Sequence, residues 1–139
     1  MLKLESVETK KLSTKTIREI CVLRNTHWKF GLKSQLKYFK NNIKLNDIHN
    51  CFYIKGNLVG YTLLRKRKII FSNKKINYFL FDTLIIKKNL RKKKLSSLMM
   101  LFNNNVILNH NKISFLTCGN ELVNFYKKFK WIRVSKKKF

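Results

Sequence analysis

Acidic side chains are almost missing from this chain: 6 Asp and Glu stand against 32 Lys and Arg, for a formal charge of +26 at pH 7. A field of that sign attracts polyanions. It fits a nucleic-acid or anionic-membrane surface, a site for an anionic cofactor, or a lysine-biased composition decorating an ordinary fold. Proline is absent while asparagine is abundant, as an AT-rich coding bias would produce, so charge alone selects none of these. Cysteine is present 3 times, at Cys21, Cys51 and Cys118, each inside an apolar run. The odd count and the lack of a Cys-x-x-Cys spacing argue against a disulfide framework and a zinc site, and they suit a reducing cytoplasm. Long apolar runs are lacking too. Nothing approaches the roughly 18 apolar residues of a membrane span. The first residues, MLKLESVETKK, carry Glu5 and Glu8 and lack the apolar core of a signal peptide.

What is present is enough for one core. With 45% hydrophobic side chains in 139 residues, a single domain over residues 1–139 is expected. Residues 76–109 organise it. Residues 76–87 are a nearly unbroken run of β-branched and aromatic side chains, which predicts a central strand covered on both faces. Leu95, Leu98, Met99, Phe102 and Val106 then recur at helical spacing. Residues 113–118 are strand-like again. Strand, helix and strand make a βαβ unit, with parallel strands and a right-handed crossover. In such sheets a ligand sits at the carboxyl ends of the strands, beside a helix N-terminus. Here that point is residues 89–96.

Upstream, residues 2–7 alternate as a short strand. Thr16 with Glu19 has the form of a capping box for a first helix. Ser34 can cap a second helix with Leu36, Phe39 and Ile43 on its apolar face. Residues 51–54 and 58–64 read as a hairpin around Lys55, Gly56 and Asn57. Gly60 inside the second arm marks a bulge or a close backbone approach. Strand character resumes at 69–71, and residues 72–75 turn the chain into the central strand. After Cys118, a last helix carries Leu122, Val123, Tyr126 and Phe129 on one side. Residues 131–134 predict a terminal strand, and SKKKF is a basic tail.

This order of elements resembles the GNAT family of N-acetyltransferases over nearly the whole chain. Two segments carry the resemblance. Residues 86–96, IKKNLRKKKLS, are similar to the family's strand end followed by Arg/Gln-x-x-Gly-x-Gly/Ala. Residues 125–131, FYKKFKW, preceded by Asn120, resemble its Phe-Tyr-x-x-Gly-Phe segment. The implied fold is α/β (α+β): a mixed sheet of six to seven strands with about four helices and a central βαβ unit whose parallel strands splay apart. The chain stops near a sixth strand. Either a partner in a homodimer contributes the seventh, or the sheet ends in an open edge.

The resemblance implies an N-acetyltransferase that moves an acetyl group from acetyl-CoA to an amine by direct attack, without a metal. It places the pyrophosphate on Arg91, Lys92, Lys93, Lys94, Leu95 and Ser96, using orphan helix amides and the positive end of the dipole. Pantetheine would lie along Leu84, Ile85 and Ile86 and against Asn120, like an added strand. Tyr126 matches the proton donor to the departing thiolate. Lys94 and Lys130 stand where the family has glycines. A base must take the proton of the amine. Asp82, in an otherwise apolar run, leads the candidates, followed by Asp47, Glu121 and His49, although ordered water serves in many members. The acceptor amine is unidentified, and the basic surface favours an anionic small molecule over a polyamine. The alternative is an inactive GNAT-like scaffold that binds nucleic acid through RKRKIIF and FYKKFKWIRV, but the spacing of the aromatics suits a core better and no nucleic-acid motif is present.

Overall fold

The computed structural model describes residues 1–91 and 94–134. Its sheet has five strands in the order β1 (Leu2–Glu8), β2 (Ile48–Ile54), β3 (Asn57–Phe71), β4 (Lys74–Ile86) and β5 (Ile113–Phe115). The first four pair antiparallel, and β5 runs parallel to β4. Helices α1 (Thr14–His27) and α2 (Leu32–Asn42) connect β1 to β2. Helix α3 (Leu95–Asn109) makes the crossover to β5, and the short α4 (Val123–Lys127) follows a 3-10 turn.

Adjacent strand residues face opposite ways, and that alternation builds two cores. Cys51, Tyr61, Leu63 and Ile85 point at α1 and α2, where they meet Ile20, Leu23 and Phe39. Phe52, Val59 and Ile86 point at Leu95 and Met99 of α3. On that same side Leu64, Phe79 and Phe81 meet Met100, Val106 and Ile107. The second half of β4 is therefore covered on both faces, as its apolar run predicts, but residues 74–78 are exposed or half-buried. The strand lies next to the edge strand, while β3 takes the centre of the sheet. Gly60 answers its expectation: a Cβ there would run into Met99 Sδ, so α3 approaches β3 through the missing side chain. Register also shifts beside it, Phe52 facing Gly60 and Tyr53 facing Leu58, which leaves Val59 as a bulge.

Three expectations are corrected. The sheet has five strands among the described residues, not six to seven. Residues 58–64 and 69–71 are one 15-residue strand. Charged residues 65–68 do not interrupt it, because each is paired to β4 and neither glycine nor proline intervenes. The strand ends at Ser72 and Asn73, with φ of 50° and 62°. Two consecutive left-handed residues are the signature of a tight hairpin turn. Finally, β5 stops at Phe115, so residues 116–118 and 131–134 are irregular. A three-residue ladder offers a terminal strand no length to pair with, and Trp131 instead anchors on α3, its Nε1 donating to Asn104 Oδ1 at 3.0 Å. The capping expectations shift as well: Ser13, not Thr16, caps α1 by accepting from the Thr16 amide at 3.1 Å, and α2 starts before Ser34. The basic tail after residue 134 lies outside the described residues.

Lys130 follows α4 with φ 68°, in the left-handed region where glycine is favoured. Lys130→Gly should therefore raise stability by about 1 kcal/mol, read as a rise of a few degrees in melting temperature. A lower melting temperature would mean that the lysine side chain contributes more than its backbone costs.

Candidate active site

The opening in the sheet begins at one residue. Leu64 faces Phe81 and Leu63 faces Thr83, so Asp82 is an unpaired bulge in β4. On the other edge, the last β4–β5 partners are Leu80 and Phe115. A bulge bends its strand and sharpens the local twist, and β4 parts from the chain after β5 immediately beyond it. The gap holds a cavity of about 290 Å³ lined by Phe81, Thr83, Leu84, Thr117, Trp28 and Tyr126, among others.

The pleat decides which peptide groups face the gap. The Lys87 amide donates to Val59 O at 2.8 Å, toward β3. Alternation then aims the peptide groups of Ile85 and Thr83 at β3 as well, and those of Leu84 and Ile86 at the gap. Ile86 O confirms its direction by accepting from Arg91 Nε at 3.2 Å. Of the three residues predicted to line a carrier, Leu84 and Ile86 present their backbone to it, and Ile85 contributes its side chain to the core under α1.

Beyond β4, a 3-10 turn at Lys88–Leu90 leads to Lys94, the residue preceding α3. Lys94 has φ 57° and ψ 11°, the left-handed conformation a glycine would take there. Its side chain is exposed and makes no capping hydrogen bond. The opening amides of α3, including Leu95 and Ser96, have no intrahelical acceptor in a helix of this type, and the dipole makes the same point attractive to an anion. Leu95 itself is buried at 6% exposure, so only its backbone is available to a ligand. Lys92 and Lys93 lie outside the described residues.

Tyr126 stands across the gap from Leu84. Its ring meets Phe81 edge-on, with centroids 6.2 Å apart. Burial pushes its hydroxyl above the ordinary tyrosine range, and Cys118 nearby adds to the shift, so the proton stays on at neutral pH. Asn120 is not in this gap. It borders an adjoining cavity of about 540 Å³ that also reaches Tyr126, and its Oδ1 accepts from Arg133 Nη2 at 3.2 Å.

The candidate bases separate by environment. Asp82 Oδ2 lies 2.6 Å from Arg65 Nε. This is a charge contact and not an aligned hydrogen bond, since the Nε–H counts no acceptor. Thr83 Oγ1 donates to the other oxygen at 2.8 Å, and the residue borders the gap cavity. Asp47 is fully buried and spent on backbone amides, accepting from Lys44 N at 2.9 Å and Lys66 N at 3.0 Å. Glu121 is exposed, its carboxylate folded against Gly119.

His49 is a core residue. Nδ1 is 2.5 Å from Tyr61 Oη and Nε2 is 2.7 Å from Thr9 Oγ1. Burial lowers its pKa to about 3, and the charges of Arg65 and Arg24 push the same way. The folded chain holds it neutral, whereas the unfolded chain protonates it below about 6.5. Its contribution to stability is complete above that pH and is lost as pH falls toward 3, at up to about 1.4 kcal/mol per unit. Denaturant titrations from neutral pH to pH 4 should therefore show the gap between wild type and His49→Gln narrowing with acid. A gap independent of pH would refute the neutral assignment.

A second cavity lies beside the bulge, bordered by Arg24, Trp28, Tyr38 and Arg65. The segments around the first two helices are where a substrate cleft is expected, but no spacing singles out these four residues. Its residues come from α1, α2 and β3, too far apart in sequence for any spacing to connect them. Trp28 at the end of α1 was the one signal.

A five-stranded mixed sheet opened by a bulge at the start of a βαβ crossover is the fold of the GNAT N-acetyltransferases, and solved structures of that fold superpose on this chain. ElaA of Escherichia coli superposes with a TM-score of 0.73 at 19% identity, covering 93% of this chain and 86% of that one. The glucosamine-6-phosphate N-acetyltransferase of Arabidopsis thaliana gives 0.70 at 12% identity, covering 97% and 94%. The aminoglycoside N-acetyltransferase AAC(6')-Iy, solved with CoA, gives 0.75 at 7% identity, covering 98% and 91%. No protein-family model and no curated protein matches the chain.

Proposed function

We propose that this chain is an N-acetyltransferase that uses acetyl-CoA as its acetyl donor and acetylates an amine by direct attack. The gap between β4 and the chain after β5 carries the reading, because it combines unpaired peptide groups, a helix N-terminus and a protonated tyrosine. The residues suit the donor. Leu84 and Ile86 offer backbone to an extended carrier. Arg91 and the first amides of α3 suit a diphosphate, and left-handed Lys94 keeps the backbone course of a glycine with its side chain outside. We assign Lys92 and Lys93 to the diphosphate as well, from their charge and sequence position.

In the reaction, the bound ammonium first gives up one proton, the free amine nitrogen then attacks the thioester carbonyl carbon and the carbon–sulfur bond breaks. The nitrogen loses its second proton to water, which reprotonates Tyr126 once the thiolate has taken its proton. A gap-facing N–H of β4 stabilises the developing oxyanion. Tyr126 protonates the leaving thiolate. Asp82, where the two cavities meet, holds the ammonium and receives its proton directly or through water. The nucleic-acid reading has less support: Phe125, Tyr126, Phe129 and Trp131 pack against the α3 core and are not free to stack on bases. A cytoplasmic setting is part of the proposal. Among the described residues no helix is long and apolar enough to cross a membrane, and the three cysteines are free.

The expected result is that acetyl-CoA raises the melting temperature at physiological salt, while polyphosphate at matched charge does not. Equal stabilisation by both would reduce the effect to bulk electrostatics and end the proposal.

A further inference from the structure

The cavity beside the bulge has a volume of about 430 Å³, within the range of small-molecule sites. Its walls are Arg24, Trp28, Gln35, Tyr38, Arg65 and Asp82, among others. Arg24 is unusual among them. It is 7% exposed, its guanidinium carbon lies 4.9 Å from the Trp28 ring and 5.1 Å from the Tyr38 ring. Two aromatic rings thus cover the charge. Nε donates to Gln35 Oε1 at 3.3 Å, and Gln35 is held in turn by donating Nε2 to Trp28 O at 2.6 Å. Nη1 is buried with no acceptor.

A buried cation is normally paired. Arg65 follows the rule, with Asp82 on Nε and Tyr38 Oη accepting from Nη2 at 2.7 Å. Arg24 does not: among the described residues the ion pairs engage Glu5, Glu8, Asp47 and Asp82, and none reaches Arg24. In a chain with 32 Lys and Arg for 6 Asp and Glu, this buried guanidinium has no carboxylate among the described residues to balance it.

We propose that this cavity is the acceptor subsite and that it takes a small primary amine carrying an oxyanion, carboxylate or phosphate, with Arg24 as the counter-ion. The word acceptor rests on the acetyltransferase reading; the anion site does not. Trp28, Asp82 and Thr83 border both this cavity and the gap cavity. A ligand whose oxyanion meets Arg24 therefore extends past the Asp82 carboxylate, which suits its ammonium, toward the opening that receives the thioester. The compact frame of rings around Arg24 admits a small group and not an extended polyanion.

The test is thermal-shift and calorimetric titration of the full chain at about 0.15 M salt with three probes: O-phosphoethanolamine, β-alanine and ethanolamine. At least one anionic amine should bind and ethanolamine should not, and the preferred probe identifies the oxyanion. Arg24→Gln should weaken that binding by about 30-fold or more without lowering the melting temperature of the unliganded chain, since it removes an unpaired buried charge. Ser34→Glu, on an exposed rim position, supplies a carboxylate to the cavity and should block the probe with Arg24 intact, which decides the matter should Arg24→Gln misfold. Failure of both anionic probes to bind, or binding that survives both substitutions, would overturn the site. Arg24-dependent binding without acetylation of any amine would keep the site and remove the enzyme. Acetylation of ethanolamine as fast as of its anionic analogues would keep the enzyme and overturn the site.

Discussion

Asp47→Ala should lower the unfolding free energy by about 3–6 kcal/mol. The carboxylate is fully buried and accepts one backbone amide on each oxygen, Lys44 N at 2.9 Å and Lys66 N at 3.0 Å, with Arg67 Nη1 3.8 Å away. Hydrogen bonds to a charged group contribute about 1.5–3 kcal/mol each, and alanine leaves both donors without a partner. These bonds tie the turn before β2 to the middle of β3, so their loss is felt across the sheet. The Asp47 backbone also holds the turn after β1, accepting from Thr9 N at 3.0 Å, and alanine leaves that contact alone. Asp47→Asn keeps one acceptor oxygen and should cost about half as much. Urea titration reads the result as a midpoint lower by about 1 M or more. A loss under about 1 kcal/mol would show that the carboxylate is not the clamp described.

Tyr126→Phe should lower turnover by about 10²–10⁴-fold, the usual contribution of a general acid, with little change in stability or in the KM for acetyl-CoA. The ring contacts with Phe81 and Phe125 survive the substitution, and only the hydroxyl is removed. A proton donor works while protonated, so wild-type activity should fall as pH rises through the tyrosine pKa. Burial has raised that pKa above the ordinary 10, and the descending limb therefore lies at strongly alkaline pH. It should vanish in the phenylalanine variant. Thiol release with a saturating amine follows both quantities. Turnover unchanged at every pH would remove Tyr126 from the mechanism and leave it a core aromatic.

Much of this architecture was legible because each local pattern agreed with the global one. The unbroken run of residues 76–87 forecast a strand covered on both faces, and the second half of β4 is covered in that way. Gly60 announced a close approach, and Met99 makes it. The family resemblance called for a left-handed residue at the end of the last helix, and Lys130 takes that conformation. Strand continuity was harder to see, because Arg65, Lys66, Arg67 and Lys68 look like a solvated turn until β4 is there to pair with them. Residues 116–118 and 131–134 have strand-forming side chains, but a strand needs a neighbouring edge, and β5 supplies three residues. The bulge at Asp82 is a count of residues on two chains, so neither chain alone reveals it. The Arg24 cavity is assembled from elements far apart in sequence, and Trp28 at the end of α1 is its one local trace.

Lys94 and Lys130 bend the backbone at φ 57° and 68°, turns usually entrusted to a residue with no side chain. Glycine at such a place lowers strain; it does not create the bend, which the packing of neighbouring elements imposes. A side chain can therefore occupy such a turn at a modest penalty and leave the course of the backbone unchanged. Superposition senses that course whatever letters spell it, and this chain shares its fold with solved structures at 7–19% identity while no family model matches it.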